Sequence, residues 1–391
     1  MNKPLKIAIY SGEIPSTTFI ERLITAVAKK DTEVYLFGAF SKRTVYPKAI
    51  KMRGYRQQRA FKLLYLLRYH LLLTFFKASE LKRFNKFLKS EGRDDLYSKV
   101  KYYPVLWYQP DIFHLQWAKG IAEWAWVEDF GMQLILSLRG AHINYSPIAD
   151  AELAARYKTY FPKVSGFHAV SKAIALEAQR YGAKNKAINL VYSGLPETGN
   201  LNTPLNKKNN TPWQIISVGR PHWKKGYSYA LDACRILKNE GVAFEYRIIG
   251  GAGDIELLYQ IKDLDLQDEV ALMGPQPYET VQDLMAKSDV LLLPSVEEGI
   301  ANVVLEAMAL GTLVLTTNCG GMEETVVDGV NGFVVPIREP EAMARKIMGI
   351  IKLNDLEKNE IIDRALKTIQ EQHTEELMVE GMMHLYEQVL K

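Results

Sequence analysis

Cysteine is almost absent from the chain: two residues in 391, Cys234 and Cys319. That excludes a disulfide framework and, with no clustered histidines, a structural zinc site, so a reducing compartment such as the cytoplasm is the expected home. Long apolar runs are missing too. The nearest, Phe61 to Phe76, is 16 residues long and interrupted by Lys62, Arg68 and His70, short of the ~18 that a spanning helix needs. The apolar stretch Ile7 to Tyr10 is far too short for a signal-peptide core, so export is not expected. No Asp-x-Asp pair occurs in the loops expected to face a ligand, so no metal site is expected there and none of the candidate residues is assigned to one.

What is present is ordinary for a folded enzyme. Apolar residues make up 48% and charged residues 24%, with 26 Gly and 16 Pro, which excludes disorder and low-complexity fibre. The length suits two domains at roughly 100–200 residues each. The net charge of +4 conceals an imbalance: residues 41–100 hold 16 Lys/Arg against four Asp/Glu, +12, leaving −8 elsewhere. So local an excess should have a local cause.

The hydrophobic pattern alternates strand and helix. Leu5 to Tyr10 reads as a buried strand, followed by a loop with Ser11, Gly12 and Pro15, a helical pattern to Lys30, and a strand over Glu33 to Phe37. Further strands are expected at Ile112–Leu115, Gln133–Leu138, Gly166–Val170 and Ala187–Val191. A polar stretch without either period follows, and the alternation restarts at Trp213–Val218, Phe244–Ile249, Val270–Met273, Val290–Leu293, Leu313–Thr316 and Phe333–Val335. Repeated strand then helix implies parallel sheets. The expected architecture is α/β, with two doubly wound Rossmann-like domains facing a central cleft where a ligand meets the strands' carboxyl ends. The expected division is an N-terminal domain at 1–195 carrying a basic insert at 41–100, a linker at 196–211, a C-terminal domain at 212–372, and a terminal helix at 373–391 packing back on the first domain.

Two constellations could carry chemistry. Ser217-Val218-Gly219-Arg220 ends a strand and Lys224-Lys225-Gly226 opens the next helix. An Arg fork, a Lys point charge and unpaired helix amides together suit a phosphate or diphosphate, although a solvated basic loop has the same spelling. The second is Glu298-Gly299-Ile300-Ala301-Asn302-Val303-Val304-Leu305-Glu306 after the strand ending at Leu293. Its two carboxylates, one in the loop and one about two turns further on, are spaced as separate acceptors for hydroxyl groups, with Asn302 able to cap the helix. Two glutamates at that spacing also occur as surface charges. Gly320 and Gly321 suit either a close approach to a ligand or a tight turn.

The run VGR then KKG, followed by PSVEEGIANVVLEAMALGTLVLTTNCGGMEETVVDGVNGFVVP, resembles the donor-site signature of glycosyltransferase family 4, retaining enzymes of the GT-B fold. The likeness is strong over residues 212–340 and weaker through IPSTTFIERLI, PDIFHLQW, LSLRGAH and FHAVSKAI. It implies a transferase using a nucleotide-sugar donor as substrate, with no other cofactor, the acceptor bound by the domain at 1–195 and the nucleotide-sugar by the domain at 212–372. It also implies roles: Arg220 and Lys225 on the donor diphosphate, Glu298 on the transferred sugar, Ile300, Ala301, Asn302 and Val303 through backbone amides, and Glu306 on the ribose. Glu298, Arg220 and Lys225 would carry catalysis. Gly12 would be the donor contact from the first domain, without the double glycine common in relatives. Where many relatives have His-Gly, this chain has Arg139-Gly140, with His142 two further on. An Arg cannot be a general base, so Arg139 either faces the donor as a cation or makes a structural salt bridge. His114 reads as a satisfied strand-end residue.

The acceptor implied is a saccharide or lipid-linked saccharide in bacterial polysaccharide or glycolipid assembly. Within the basic insert, Leu81, Phe84 and Leu88 recur at helical spacing beside Lys82, Lys86 and Lys89. Such a helix could lie on an anionic membrane surface at the inner face of the cell membrane, or pack its apolar stripe on its own domain. No nucleic-acid module accompanies the charge, so nucleic acid is not an expected partner. Alternatives to the enzyme are a non-catalytic nucleotide-sugar-binding interaction module and a GT-B epimerase.

Overall fold

The computed structural model describes residues 4–196 and 211–391; the expected linker lies almost wholly outside them. The chain divides into two units. Unit 1 comprises residues up to Ala169, Glu177–Val191 and Met378–Lys391, and unit 2 comprises Val170–Leu176 and Tyr192–Leu377.

Unit 1 is built on seven parallel strands: β1 (Leu5–Ile14), β2 (Thr32–Phe40), β3 (Ile50–Tyr55), β4 (Ile112–Leu115), β5 (Gln133–Leu138), β6 (Gly166–Ala169) and β7 (Ile188–Leu190), in the order β3-β2-β1-β4-β5-β6-β7. Ile7, Ala8 and Ile9 are all buried, as expected of a parallel strand covered on both faces. Helix α1 (Thr18–Val27) buries Ile20, Leu23, Ile24 and Val27 against this sheet.

Strand β3 escapes a sequence reading because Lys51, Arg53 and Gly54 break its apolar pattern. As an edge strand it needs no second buried face. Lys51 pairs with Glu33 at 2.6 Å, and the Arg53 guanidinium lies 4.9 Å from the centre of the Tyr108 ring. The basic stretch is therefore part of the sheet at one end, and three helices follow: α2 (Arg59–Phe76), α3 (Ala78–Ser90) and α4 (Leu96–Tyr108). Leu81, Phe84 and Leu88 on α3 are buried, and the Phe84 ring lies 4.5 Å from that of Trp126 and 5.2 Å from that of Phe130. This corrects the lipid-facing reading of that stripe: an aromatic cluster of the unit's own core already covers it.

A buried polar chain ties the last helix to the sheet. Tyr386, on the helix Glu375–Leu390, contacts His114 Nδ1 at 2.9 Å; His114 Nε2 contacts Ser137 Oγ at 2.8 Å; Ser137 Oγ contacts His168 Nδ1 at 2.9 Å; and His168 Nε2 lies 3.0 Å from the Val191 carbonyl. Because a carbonyl only accepts, His168 Nε2 carries the proton. Single donation at each link then orients the chain, with Ser137 donating to His168, His114 Nε2 to Ser137, and Tyr386 to His114. Both imidazoles must be neutral. Burial pushes His168 from 6.5 down to about 3, helped by the charge of Arg139, and holds His114 well below its usual range. His114 is thus a satisfied structural residue.

Neutral in the fold but protonated when unfolded, His168 contributes stability that is fully present above pH 6.5 and is lost as pH falls towards about 3. The expected slope is about 1.4 kcal/mol per pH unit for each such histidine. Urea midpoints between pH 7 and pH 4 should fall steeply for the native chain and less steeply for His168→Gln; equal slopes would contradict the neutral assignment.

Unit 2 holds six parallel strands: β8 (Trp213–Val218), β9 (Phe244–Ile249), β10 (Val270–Met273), β11 (Val290–Leu293), β12 (Leu313–Thr317) and β13 (Phe333–Val335), in the order β10-β9-β8-β11-β12-β13. Its strands are buried on both faces by two apolar clusters, one including Ile215, Tyr246, Leu292 and Leu315, the other Ile216, Ile249, Leu291 and Val314.

Candidate functional site

The order of the second sheet reverses between β8 and β11. From β8 the chain proceeds to β9 on one side, and from β11 to β12 on the other, so the loops leaving these neighbouring strands diverge at their carboxyl ends. That is where doubly wound sheets bind ligands. The loop after β8 carries Gly219, Arg220 and a tight turn at Trp223–Lys225 before helix α5 (Tyr227–Asn239). The loop after β11 runs from Pro294 to Ala301 and enters helix α6 (Asn302–Ala309).

The two loops are fastened together. Val296 N donates to Lys224 O at 2.7 Å, and Thr317 Oγ1, at the end of β12, donates to Ser295 O at 2.5 Å. Gly226 turns with φ +65°, and a Cβ there would overlap the Pro294 carbonyl oxygen. Gly320 (φ +53°) comes equally close to the Glu298 carbonyl, while Gly321 N donates to Gly299 O at 2.9 Å. These glycines set the backbone that presents Glu298.

Glu298 is only 8% exposed. Its Oε1 lies 2.6 Å from Lys225 Nζ and its Oε2 3.5 Å from Lys224 Nζ, and Ser295 Oγ donates to Oε1 at 3.4 Å. Two ammonium groups thus converge on one carboxylate, which leaves the cluster cationic, and the exposed Arg220 follows the same strand end. Ile300 and Ala301 are buried, and Ala301 N points at Met322 Sδ, 3.4 Å away. The amides of Ile300, Asn302 and Val303 have no hydrogen-bond acceptor among the described residues. Asn302 does not cap the helix: Ala301 occupies the capping position and makes no side-chain bond, because the asparagine falls one residue inside. The first-turn donors consequently stay open, beside positive charge. Glu306, half-buried on α6, accepts from Tyr278 OH at 3.4 Å.

Gly12 and Arg139 belong to unit 1. Gly12 sits in β1 with φ +94°, where the pairing with β2 shifts register between Ile9 and Gly12. Arg139 follows β5. Its Nη2 donates to Gln116 Oε1 at 3.2 Å and its guanidinium lies 4.8 Å from the centre of the Phe19 ring. Burial draws its pKa down to about 10, still cationic at neutral pH. No carboxylate among the described residues pairs with it, and its buried Nε has no acceptor. The salt-bridge alternative is therefore not realised among those residues.

Residues 202–368 match the family model of glycosyl transferases group 1, the segment that contains every candidate residue of unit 2. That match spans less than half of the chain. Among curated relatives, the colanic acid biosynthesis glycosyltransferase WcaL of Escherichia coli is 33% identical over 216 residues, covering 54% of this chain and 53% of that protein. The amylovoran biosynthesis glycosyltransferase AmsK of Erwinia amylovora is 37% identical over 171 residues, 42% of each. The chain thus spans about half or less of the curated relatives it matches. Among solved structures, HepE of Anabaena in complex with UDP matches with a TM-score of 0.70 over 98% of this chain and all of that one, at 18% identity. The fold is GT-B.

In the matched segment, sequence reasoning singled out Lys225 but gave Lys224, Ser295 and Tyr278 no role. Lys224 could have been found from its adjacency to Lys225. Ser295 and Tyr278 carry no local signal, since both reach their glutamates only through the fold.

Proposed function

We propose that the protein is a retaining glycosyltransferase. It would move a sugar from a nucleotide-sugar to a saccharide or lipid-linked saccharide acceptor in bacterial polysaccharide or glycolipid assembly. The observation that carries this reading is the convergence of Lys224 and Lys225 on the buried Glu298, beside open helix amides at the switch point of the sheet. The names of the relatives, in colanic acid and amylovoran biosynthesis, and the UDP bound by HepE support the same chemistry.

The roles follow from charge. An arriving diphosphate competes with Glu298 for Lys225 and draws on Arg220 and the amides of Ile300, Asn302 and Val303, the Ala301 amide being turned to Met322 Sδ. Released from its ion pair, Glu298 can accept hydrogen bonds from the sugar hydroxyls, and Glu306 can take the ribose. As the bond between the anomeric carbon and the phosphate oxygen breaks, the cations stabilise the charge gathering on the leaving group, an effect worth several kcal/mol in a preorganised site. The acceptor oxygen bonds to the anomeric carbon from the same face, and its proton passes to the departing phosphate oxygen, which gives retention. Arg139, charged and without a carboxylate partner among the described residues, suits an anion contact and not a base.

We read the protein as cytoplasmic and peripheral at an anionic membrane face; among the described residues no helix is long and apolar enough to cross a membrane. Side-chain cations meet the diphosphate in this mechanism, so transfer should persist in EDTA. The test is release of nucleoside diphosphate across a panel of nucleotide-sugars, with and without chelator. Turnover of at least one donor in both conditions is expected; an absolute requirement for Mg or Mn would overturn the cationic site. Arg139 favours one second reading, a module that binds nucleotide-sugar without turnover, and donor binding with no release would establish that instead.

A further inference from the structure

Helix α2 is apolar on two sides. Leu66, Tyr69 and Leu73 are buried. On the opposite side, Phe61, Leu64, Leu67, Leu71 and Phe75 are exposed by 46%, 63%, 53%, 45% and 77%. At 100° per residue these five fall within about 120° of one another, so they form one stripe along the helix. Scattered apolar residues on a surface need no explanation, but a contiguous stripe does.

The stretch of chain that carries the stripe has charge of one sign. From Val34 to Ser79 the chain contains ten Lys/Arg and no Asp or Glu. Arg68 lies within the stripe, and the Arg56 guanidinium sits 4.9 Å from the centre of the Phe61 ring at its start. The next helix adds an open pocket lined by Lys82, Arg83, Lys86 and Lys89, with Lys99 of α4 paired to Asp94 at 2.6 Å. An exposed apolar stripe on a predominantly cationic surface is complementary to a bilayer with anionic headgroups, where apolar side chains enter the acyl boundary and Lys and Arg meet phosphates. A helix of 18 residues lying flat presents about 27 Å of such contact.

We propose that the outer face of α2 is the membrane-docking surface of the protein, inserting Phe61, Leu64, Leu67, Leu71 and Phe75 into an anionic leaflet, with the lysines of α3 adding a salt-sensitive attraction. This rests on the membrane-surface reading above and moves the apolar contact from α3, whose stripe is already packed, to α2.

The test is co-sedimentation of the full chain with phosphatidylcholine vesicles, with or without phosphatidylglycerol, at low and high salt. The variants are Leu64→Ser/Leu67→Ser/Phe75→Ser and Lys82→Glu/Lys86→Glu/Lys89→Glu, each checked by thermal unfolding. The wild type should bind the anionic vesicles and keep part of that binding at high salt. The α2 variant should lose the salt-resistant part, with partitioning down roughly a hundredfold, and the lysine variant should lose mainly the salt-sensitive part. Both alter exposed residues far in sequence from the matched segment, so binding of nucleoside diphosphate should be unchanged. No vesicle binding by the wild type would overturn the membrane reading itself. Wild-type binding that the α2 variant retains in full would overturn only the assignment to α2. A concentration-dependent dimer in sedimentation velocity, abolished by the same α2 substitutions, would identify a second copy of the chain as the occupant and overturn the proposal.

Discussion

Lys225→Ala should lower transfer by about 2–4 kcal/mol in transition-state stabilisation, a loss of roughly thirty- to a thousandfold in rate, as when one preorganised charge donor is deleted. The geometry adds a second expectation. Lys225 Nζ is the nearest cation to the buried Glu298, at 2.6 Å, and without it the carboxylate retains Lys224 at 3.5 Å and the Ser295 hydroxyl. Stability should therefore fall, but by less than the ~3–5 kcal/mol typical when a buried pair loses its sole partner. The double variant Lys225→Ala/Glu298→Gln should regain that stability and not the activity. Steady-state transfer and thermal unfolding on the two variants check both points. Normal turnover in a folded Lys225→Ala protein would contradict the diphosphate role.

Glu298→Gln should reduce turnover by about a hundredfold, because a neutral amide accepts sugar hydroxyls more weakly than a carboxylate as the transition state forms. Its affinity for free nucleoside diphosphate should hold or rise, since the substitution removes the anion that competes for Lys225. Glu306→Ala should behave differently. A ribose contact serves donor and product alike, so free nucleotide should bind about tenfold more weakly and turnover should fall with it. Titration of nucleoside diphosphate into both variants, set beside their kcat and KM, separates the roles; an equal loss of nucleotide affinity would refute the division between sugar and ribose.

The doubly wound plan was legible because buried parallel strands have uninterrupted apolar runs, as in Ile7 to Ile9 and Val290 to Leu293, spaced by helix-length segments. The candidate site residues were legible for a different reason. Arg220, Lys225, Glu298 and Glu306 lie in loops and first helical turns after strands, where local order carries the chemistry. What escaped depends on contacts distant in sequence. Strand β3 looks like a charged loop until the pairing of its lysine with Glu33 and its place at the sheet edge are known. The α3 stripe of Leu81, Phe84 and Leu88 has the same period whether it meets lipid or Trp126, so periodicity could not choose between them. On α2 the difficulty was reversed: apolar residues on both sides of the helix hide which side the core takes. Asn302 missed the capping position by one residue, an offset invisible without backbone angles.

The most direct measurement is calorimetric titration of a panel of nucleoside diphosphates against the wild type and Lys225→Ala. At least one nucleotide should bind the wild type, and the same nucleotide should bind Lys225→Ala at least tenfold more weakly while the protein remains folded. Failure of every nucleotide to bind, or equal affinity for the two proteins, would contradict a donor diphosphate site at the junction of β8 and β11.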